Sequence, residues 1–178
     1  MKEPVSTNLP SPAKANRPVS PLHILIEQQP FFKGLNEQQV EMLAESALLM
    51  EFEPGQKLLQ EGDPANRFYL ILEGQVAFEM EADANGATIP IQLLGAGDDV
   101  GWSWLFPPYS MHFSARAVKP TRTIFFYGTR LREQCEQDHE FGYQLMKRIA
   151  EVATKCLQAT QQSFVAAKGA EVSNQSSQ

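Results

Sequence analysis

A chain of 178 residues, 43% apolar and 20% charged, has the length for one well-cored domain, not two comfortable ones, and the composition of an ordinary globular protein. Its formal charge of −6 argues against sequence-independent nucleic-acid binding, which runs on Lys and Arg neutralising phosphates. No apolar run reaches the ~18 residues of a membrane span, the first residues lack the apolar core of a secretory signal, and Cys135 and Cys156 show no CxxC or framework spacing, so a reduced, cytoplasmic setting is expected.

Residues 1–20 are rich in Pro, Ser and Asn and read as a disordered arm. LHILIEQ, residues 22–28, reads as a short helix stopped before Pro30. In GLNEQQVEMLAESA, Asn36 is placed to cap a helix and Leu35 to staple against Val40, while Val40, Leu43 and Ala47 share one face. From Leu48 to Tyr127 the period changes. LLMEFEP, QKLLQEG, RFYLILEG, QVAFEMEA, TIPIQLLG, MHFSARAV and TRTIFFYG are short runs broken by Gly, Pro or Asp/Asn. Gly55, Gly62, Gly74, Gly97 and Gly101 fall where the chain needs positive φ or close backbone approach. Val76, Phe78 and Met80 alternate with Ala77, Glu79 and Glu81, and Asn85-Gly86 supplies a hairpin turn. Such strands indicate a mainly β fold with flanking helices: an antiparallel double-stranded β-helix, a jelly-roll barrel. After Gly128 the helical period returns. TRLREQCEQ is a short helix, and Asp138 caps a long one from His139 to about Val165. Phe141, Leu145, Ile149, Val152, Cys156, Leu157, Thr160 and Phe164 form its apolar stripe. The tail, 166–178, reads as disordered.

This order, with FFKGLNEQQVEMLAE, EPGQKLLQEGD, RFYLILEGQV and LLGAGDDVG in sequence, resembles the cyclic nucleotide-binding domain family, the Crp-like effector domain, over about residues 30–165. The resemblance implies a domain at 21–165, with its barrel at about 48–127 and its C-terminal helix at about 139–165. It also implies a ligand cassette in GDDVGWSWLFPPYSMHFSARAV, where a turn of helix offers backbone N–H groups to a phosphate. The family adds a Glu for the ribose hydroxyl and an Arg for the phosphate. Here Gly101 matches the family's second glycine, Trp102 stands at the Glu position, and Met111, or His112 or Phe113 by another gap placement, stands at the Arg position. Losing both anchors weakens an ordinary cyclic nucleotide by about two to four powers of ten, at roughly 1.5–3 kcal/mol per charge-assisted hydrogen bond.

The candidate ligand-binding set is Gly101, Trp102, Ser103, Trp104, Met111, His112 and Phe113, either lining an apolar site or filling an emptied one. Arg116 reads as an exposed strand arginine rather than a replacement cation. No catalytic constellation, no metal site and no cofactor are expected; His139 near Cys135 is spoiled as a metal pair by the helix break at Asp138. From Thr129 onward six Lys/Arg meet six Asp/Glu, so no basic DNA-reading surface is expected. The expected role is a regulatory or adaptor domain acting through protein contacts. A homodimer would form through Phe141, Leu145, Ile149, Val152 and Cys156, a coupling of helix and ligand that the resemblance implies. The alternative is a sensor of a cyclic nucleotide or other small ligand.

Overall fold

The computed structural model describes residues 20–81 and 88–175, with side chains described to Val165. The arm at 1–19, the Asn85-Gly86 turn and residues 176–178 lie outside them. Four helices flank the sheets: α1 (Pro21–Glu27), α2 (Glu37–Ser46), α3 (Gly128–Gln137) and α4 (His139–Gln175). Ser20 caps α1 through its hydroxyl. Asn36 caps α2 in a reciprocal box, accepting from the Gln39 amide at 2.9 Å while Gln39 Oε1 accepts from the Asn36 amide at 3.1 Å. Asp138 caps α4, its Oδ1 accepting from Phe141 N at 3.0 Å, and its Oδ2 accepts from Gln39 Nε2 at 2.8 Å. Those bonds hold the Asp138 carboxyl below its ordinary value, the Gln39 bond first. One carboxylate thus starts the longest helix and ties it to α2.

The strands are β1 (Leu48–Phe52), β2 (Lys57–Leu59), β3 (Arg67–Glu73), β4 (Val76–Glu81), β5 (Thr88–Leu94), β6 (Asp99–Val100), β7 (Ser114–Ala117) and β8 (Thr121–Tyr127). They form two antiparallel sheets, in orders β1-β8-β3-β6 and β2-β7-β4-β5. The jelly-roll-like arrangement with a long C-terminal helix is the one expected, but the barrel is not closed. β6 and β2, edge strands of two and three residues, are too short to continue a ladder from one sheet to the other. All five glycines singled out in the sequence have positive φ.

The core joins both sheets to the helices. Phe68, Leu70, Ile71, Ile124 and Phe126 from β3 and β8 are fully buried, with Val76 and Ala115 from β4 and β7. Phe31 and Phe32, in a 3₁₀ turn after α1, bring their rings to 5.2 Å from Phe68 and 5.4 Å from Phe126. The alternation expected in β4 fails at one place. A bulge between Phe78 and Glu79 leaves both buried, and Glu79 pairs with Arg116 on β7. Arg116, expected as an exposed strand arginine, is instead half-buried and paired with Glu79.

The long helix passes its expected end at Val165 and the start of the expected disordered tail; the backbone stays helical to Gln175. Ala166, Ala167 and Ala170 are strong helix formers and no proline intervenes.

Candidate functional site

The cassette begins at Gly101, which has φ +95° and caps a 3₁₀ turn, Trp102–Leu105. A Cβ there would stand 2.6 Å from the Arg67 carbonyl oxygen, so the backbone can pass β3 only because the residue is glycine. The loop that follows is sewn to the β2–β3 turn. Met111 N donates to Asp63 O at 2.8 Å, Gly62 N to Met111 O at 2.9 Å, and Ala65 N to Tyr109 O at 2.7 Å. That pinning drives Met111 inward, where it is buried. Phe113 follows, its ring 4.7 Å from Phe78. Between Leu59, Phe78, Gly101, Trp102, Ser103, Met111 and Phe113 only about 10 Å³ remains, one water at most. Met111 and Phe113 occupy the space beside the backbone cradle.

The polar groups of the cassette bind one another. Ser103 is buried, and its Oγ lies 2.9 Å from His112 Nδ1. The His112 ring stacks on Trp102 at 6.1 Å, and Trp102 meets Phe106 edge-on at 6.5 Å. Trp104 is a core residue and not a pocket-mouth one: it is fully buried, and its ring meets Phe68. Of the seven candidate residues, five line the small residual space, His112 is exposed and joins them only through Ser103 and Trp102, and Trp104 lies apart.

A larger cavity, about 230 Å³, opens between α4 and the β5–β6 turn, beyond Phe78 and Trp102. Asp98, Asp99, Arg148, Glu151, Lys155 and Cys156 line it with apolar neighbours such as Phe31, Leu94 and Val152. Asp98 is committed to its turn, its Oδ2 accepting from Gly95 N at 2.8 Å. Arg148 is committed too. It donates to Gln144 O at 2.6 Å and to the Lys33 carbonyl. Asp99 is different: the residue is buried, and its Oδ2 has no hydrogen-bond partner. Desolvation, then the Asp98 charge, push its carboxyl up to about 7, with a backbone hydrogen bond and then Lys155 opposing. Asp98 and Asp99 line this cavity, apart from His112, which bonds Ser103. Burial, which spacing does not reveal, sets Asp99 apart from its exposed neighbour Asp98.

The five residues expected to pair two copies are turned inward. Phe141, Leu145 and Ile149 are fully buried in their own chain, Cys156 is buried and Val152 half-buried. A second stripe faces outward. Tyr143, Met146, Ala150, Ala153, Leu157, Thr160 and Phe164 recur at alternating steps of three and four, the a and d positions of a heptad. Tyr143, Met146 and Leu157 are 63%, 45% and 59% exposed. Sequence reading merged the two stripes, because Cys156 and Leu157 are adjacent; a strict seven-residue count from Tyr143 separates them.

Among the described residues, no helix is long and apolar enough to cross a membrane and no group of His, Cys, Asp and Glu is placed to hold a metal.

The family model for the cyclic nucleotide-binding domain matches residues 49–138. The chain is 24% identical over 119 residues to a CRP-like cAMP-activated global transcriptional regulator of Mycobacterium tuberculosis, covering 67% of this chain and 53% of the relative. It thus spans about half the length of the curated relatives it matches. Among solved structures, a candidate cyclic nucleotide-binding protein from Geobacter metallireducens GS-15 is 28% identical with a TM-score of 0.68, over 78% of this chain and 98% of that one. The regulatory subunit of a cAMP-independent protein kinase A from Trypanosoma brucei, 23% identical with a TM-score of 0.59, shares the fold over 80% of this chain and 48% of that one.

Proposed function

The chain belongs to the cyclic nucleotide-binding domain family, and from that premise we propose that it is a regulatory module acting through protein contacts, with a cassette that does not take cyclic AMP in the family's usual way. The observation that carries this reading is the filled cradle. Met111 and Phe113 leave about 10 Å³ beside Gly101, and Trp102 stands where the resemblance implies a sugar-binding carboxylate. A cyclic phosphate entering there would have to displace a pinned Met111 and find neither charged anchor. The Trypanosoma brucei relative, named as cAMP-independent, has the same fold in a regulatory subunit. Regulatory relatives also favour a non-enzyme, since the convergent titratable groups that catalysis needs are not at the cassette. Calorimetry with cyclic AMP and cyclic GMP tests the reading: no heat is expected up to millimolar nucleotide, and micromolar binding would overturn it.

The partner we assign to α4 is a second copy of the chain, paired in parallel through the outer stripe. Three heptads of a and d positions repeat on one face, exposed except at the half-buried Ala153 and Thr160, and alanines at 150 and 153 allow close helix approach. Leu157→Glu is expected to turn a dimer into a monomer in sedimentation equilibrium while changing chain stability by no more than about 0.5 kcal/mol, because Leu157 is exposed. A wild-type chain that is monomeric at all concentrations would sink this assignment.

A further inference from the structure

An open groove of about 510 Å³ runs between the C-terminal half of α2, the start of β1, the end of β8 and α3. Met42, Ala47, Leu48 and Tyr127 form its apolar wall. Leu48 and Tyr127 are 49% and 48% exposed, so two large apolar side chains stand half-uncovered at one place. The charge beside it lies on α2. Glu37, Glu41 and Glu45 recur every four residues and share one face, where like charges repel, and Glu45 lines the groove itself. Arg130, the cation of the lining, is paired with Glu133 at 3.6 Å. Among the described residues Glu37 and Glu45 join no ion pair, and Glu41 meets only His23 Nε2, at 4.0 Å. His23 also fixes where the preceding chain arrives. Its amide donates to Ser20 O at 2.9 Å, so Ser20 is one turn from the ring that reaches Glu41. Glu45 lies a further turn along α2, about 6 Å.

We propose that this groove is the docking site of the chain's own residues 9–19, with Lys14 and Arg17 on the α2 carboxylates and the proline-containing stretch on Leu48 and Tyr127. The charges are complementary. Residues 1–19 hold Lys2, Lys14 and Arg17 against Glu3, a net positive segment in a chain of formal charge −6. The reach suffices as well. Arg17 and Lys14 precede Ser20 by three and six residues, roughly 10 and 20 Å of extended chain. Pro10, Pro12 and Pro18 restrict the backbone, so the segment loses less freedom on docking, and proline-rich stretches dock in aromatic-lined grooves. Because the segment is tethered, it meets the groove at an effective concentration of about millimolar, and contacts too weak for a free peptide are enough. Docked, it covers Leu48 and Tyr127 and closes this face to other chains. The groove shares no residue with the cassette space, the cavity under α4 or the outer stripe of α4, so this assignment stands or falls apart from the proposed function.

Carbodiimide cross-linking of the full chain, which joins a lysine amine to a carboxylate in contact with it, is the test, read by mass spectrometry of the linked peptides. At low salt Lys14 is expected to link chiefly to Glu41 and Glu45, and the yield should fall at least about fivefold in 1 M NaCl, where charges are screened beyond about 3 Å. Glu41→Gln with Glu45→Gln should remove the link. A charge-swapped chain, Glu41→Lys and Glu45→Lys with Lys14→Glu and Arg17→Glu, should recover it with amine and acid exchanged. Leu48→Ser, at a half-exposed position, should lower the wild-type yield about threefold. An equal mixture of nitrogen-15-labelled and unlabelled chains should give links within one label only. Links from Lys14 spread evenly over the surface carboxylates, no Lys14 link to α2, an unchanged yield in Leu48→Ser, or links between labelled and unlabelled chains would each overturn the proposal. The substituted side chains are exposed or half-buried, so folding is expected to survive each change. The salt dependence and the isotope mixture use the wild-type chain and decide the matter without any variant.

Discussion

Trp104→Ala is expected to lower stability by about 3 kcal/mol, seen as a fall in the urea midpoint at an unchanged slope. Trp104 is fully buried, with its ring edge-on to Phe68 at 6.1 Å. Its main chain is held as firmly: the Trp104 carbonyl accepts from Arg132 Nη1 at 2.5 Å, and the Arg132 guanidinium sits 4.4 Å over the Tyr109 ring. Behind it, α3 begins at Gly128, where a Cβ would stand 2.5 Å from Trp104 Cβ. A helix start packed this closely cannot relax far into the void. Large aromatic-to-alanine changes in cores cost about 3–5 kcal/mol. The lower end is chosen because the indole Nε1 is buried with no hydrogen-bond partner, and removing it returns part of that cost. Trp102→Ala is the comparison. That side chain is half-buried and stacks on His112, so its loss should cost well under half as much. Similar losses for the two tryptophans would contradict this division of the cassette into a core residue and a surface one.

Asp99→Asn is expected to stabilise the chain at pH 8 by up to about 4 kcal/mol and to leave it nearly unchanged at pH 4. The folded carboxyl sits at about 7 against an ordinary 3.8, mainly because burial disfavours its charge. Below pH 3.8 both folded and unfolded chains hold the proton, and the full contribution of the neutral acid is present. Between about pH 4 and pH 7 the unfolded chain has lost its proton while the folded one keeps it. Stability therefore falls as pH rises through this window, by about 1.4 kcal/mol per pH unit, and levels off above pH 8. Asparagine has the same shape and no charge, so the slope disappears. Other carboxylates work in the opposite sense: Asp138, held below its ordinary value, adds stability that is lost as pH falls. The informative quantity is thus the difference between wild-type and variant denaturation curves from pH 4 to pH 8. Parallel curves would show that Asp99 titrates as an exposed carboxyl.

Local signals made much of the fold legible. Asn36 and Asp138 cap the helices their spacing assigned to them, and every strand run from LLMEFEP to TRTIFFYG contains a strand. These features depend on near neighbours in the chain. What stayed hidden depends on distant ones. The open edges follow from the shortness of β2 and β6, which only pairing reveals. Trp104 and Trp102 look alike in WSWL, and only the approach of Phe68 and Gly128 separates core from rim. Met111 was legible as one of three residues, with His112 and Phe113, that could stand in place of an arginine, but its role as a plug follows from its bonds to Gly62 and Asp63, some fifty residues away. Asp99 became a site residue only once α4 lay across it.

α4 carries its buried and exposed stripes on one rod, with Cys156 against the cavity and Leu157 on the outside. Any roll of that rod that widens the space beside Asp99 must also re-aim the outward residues. Occupancy of the one and pairing through the other then share a single mechanical degree of freedom. Under the proposed pairing, thermodynamic reciprocity requires that whatever factor an occupant of that space applies to self-association, self-association applies to the affinity for the occupant.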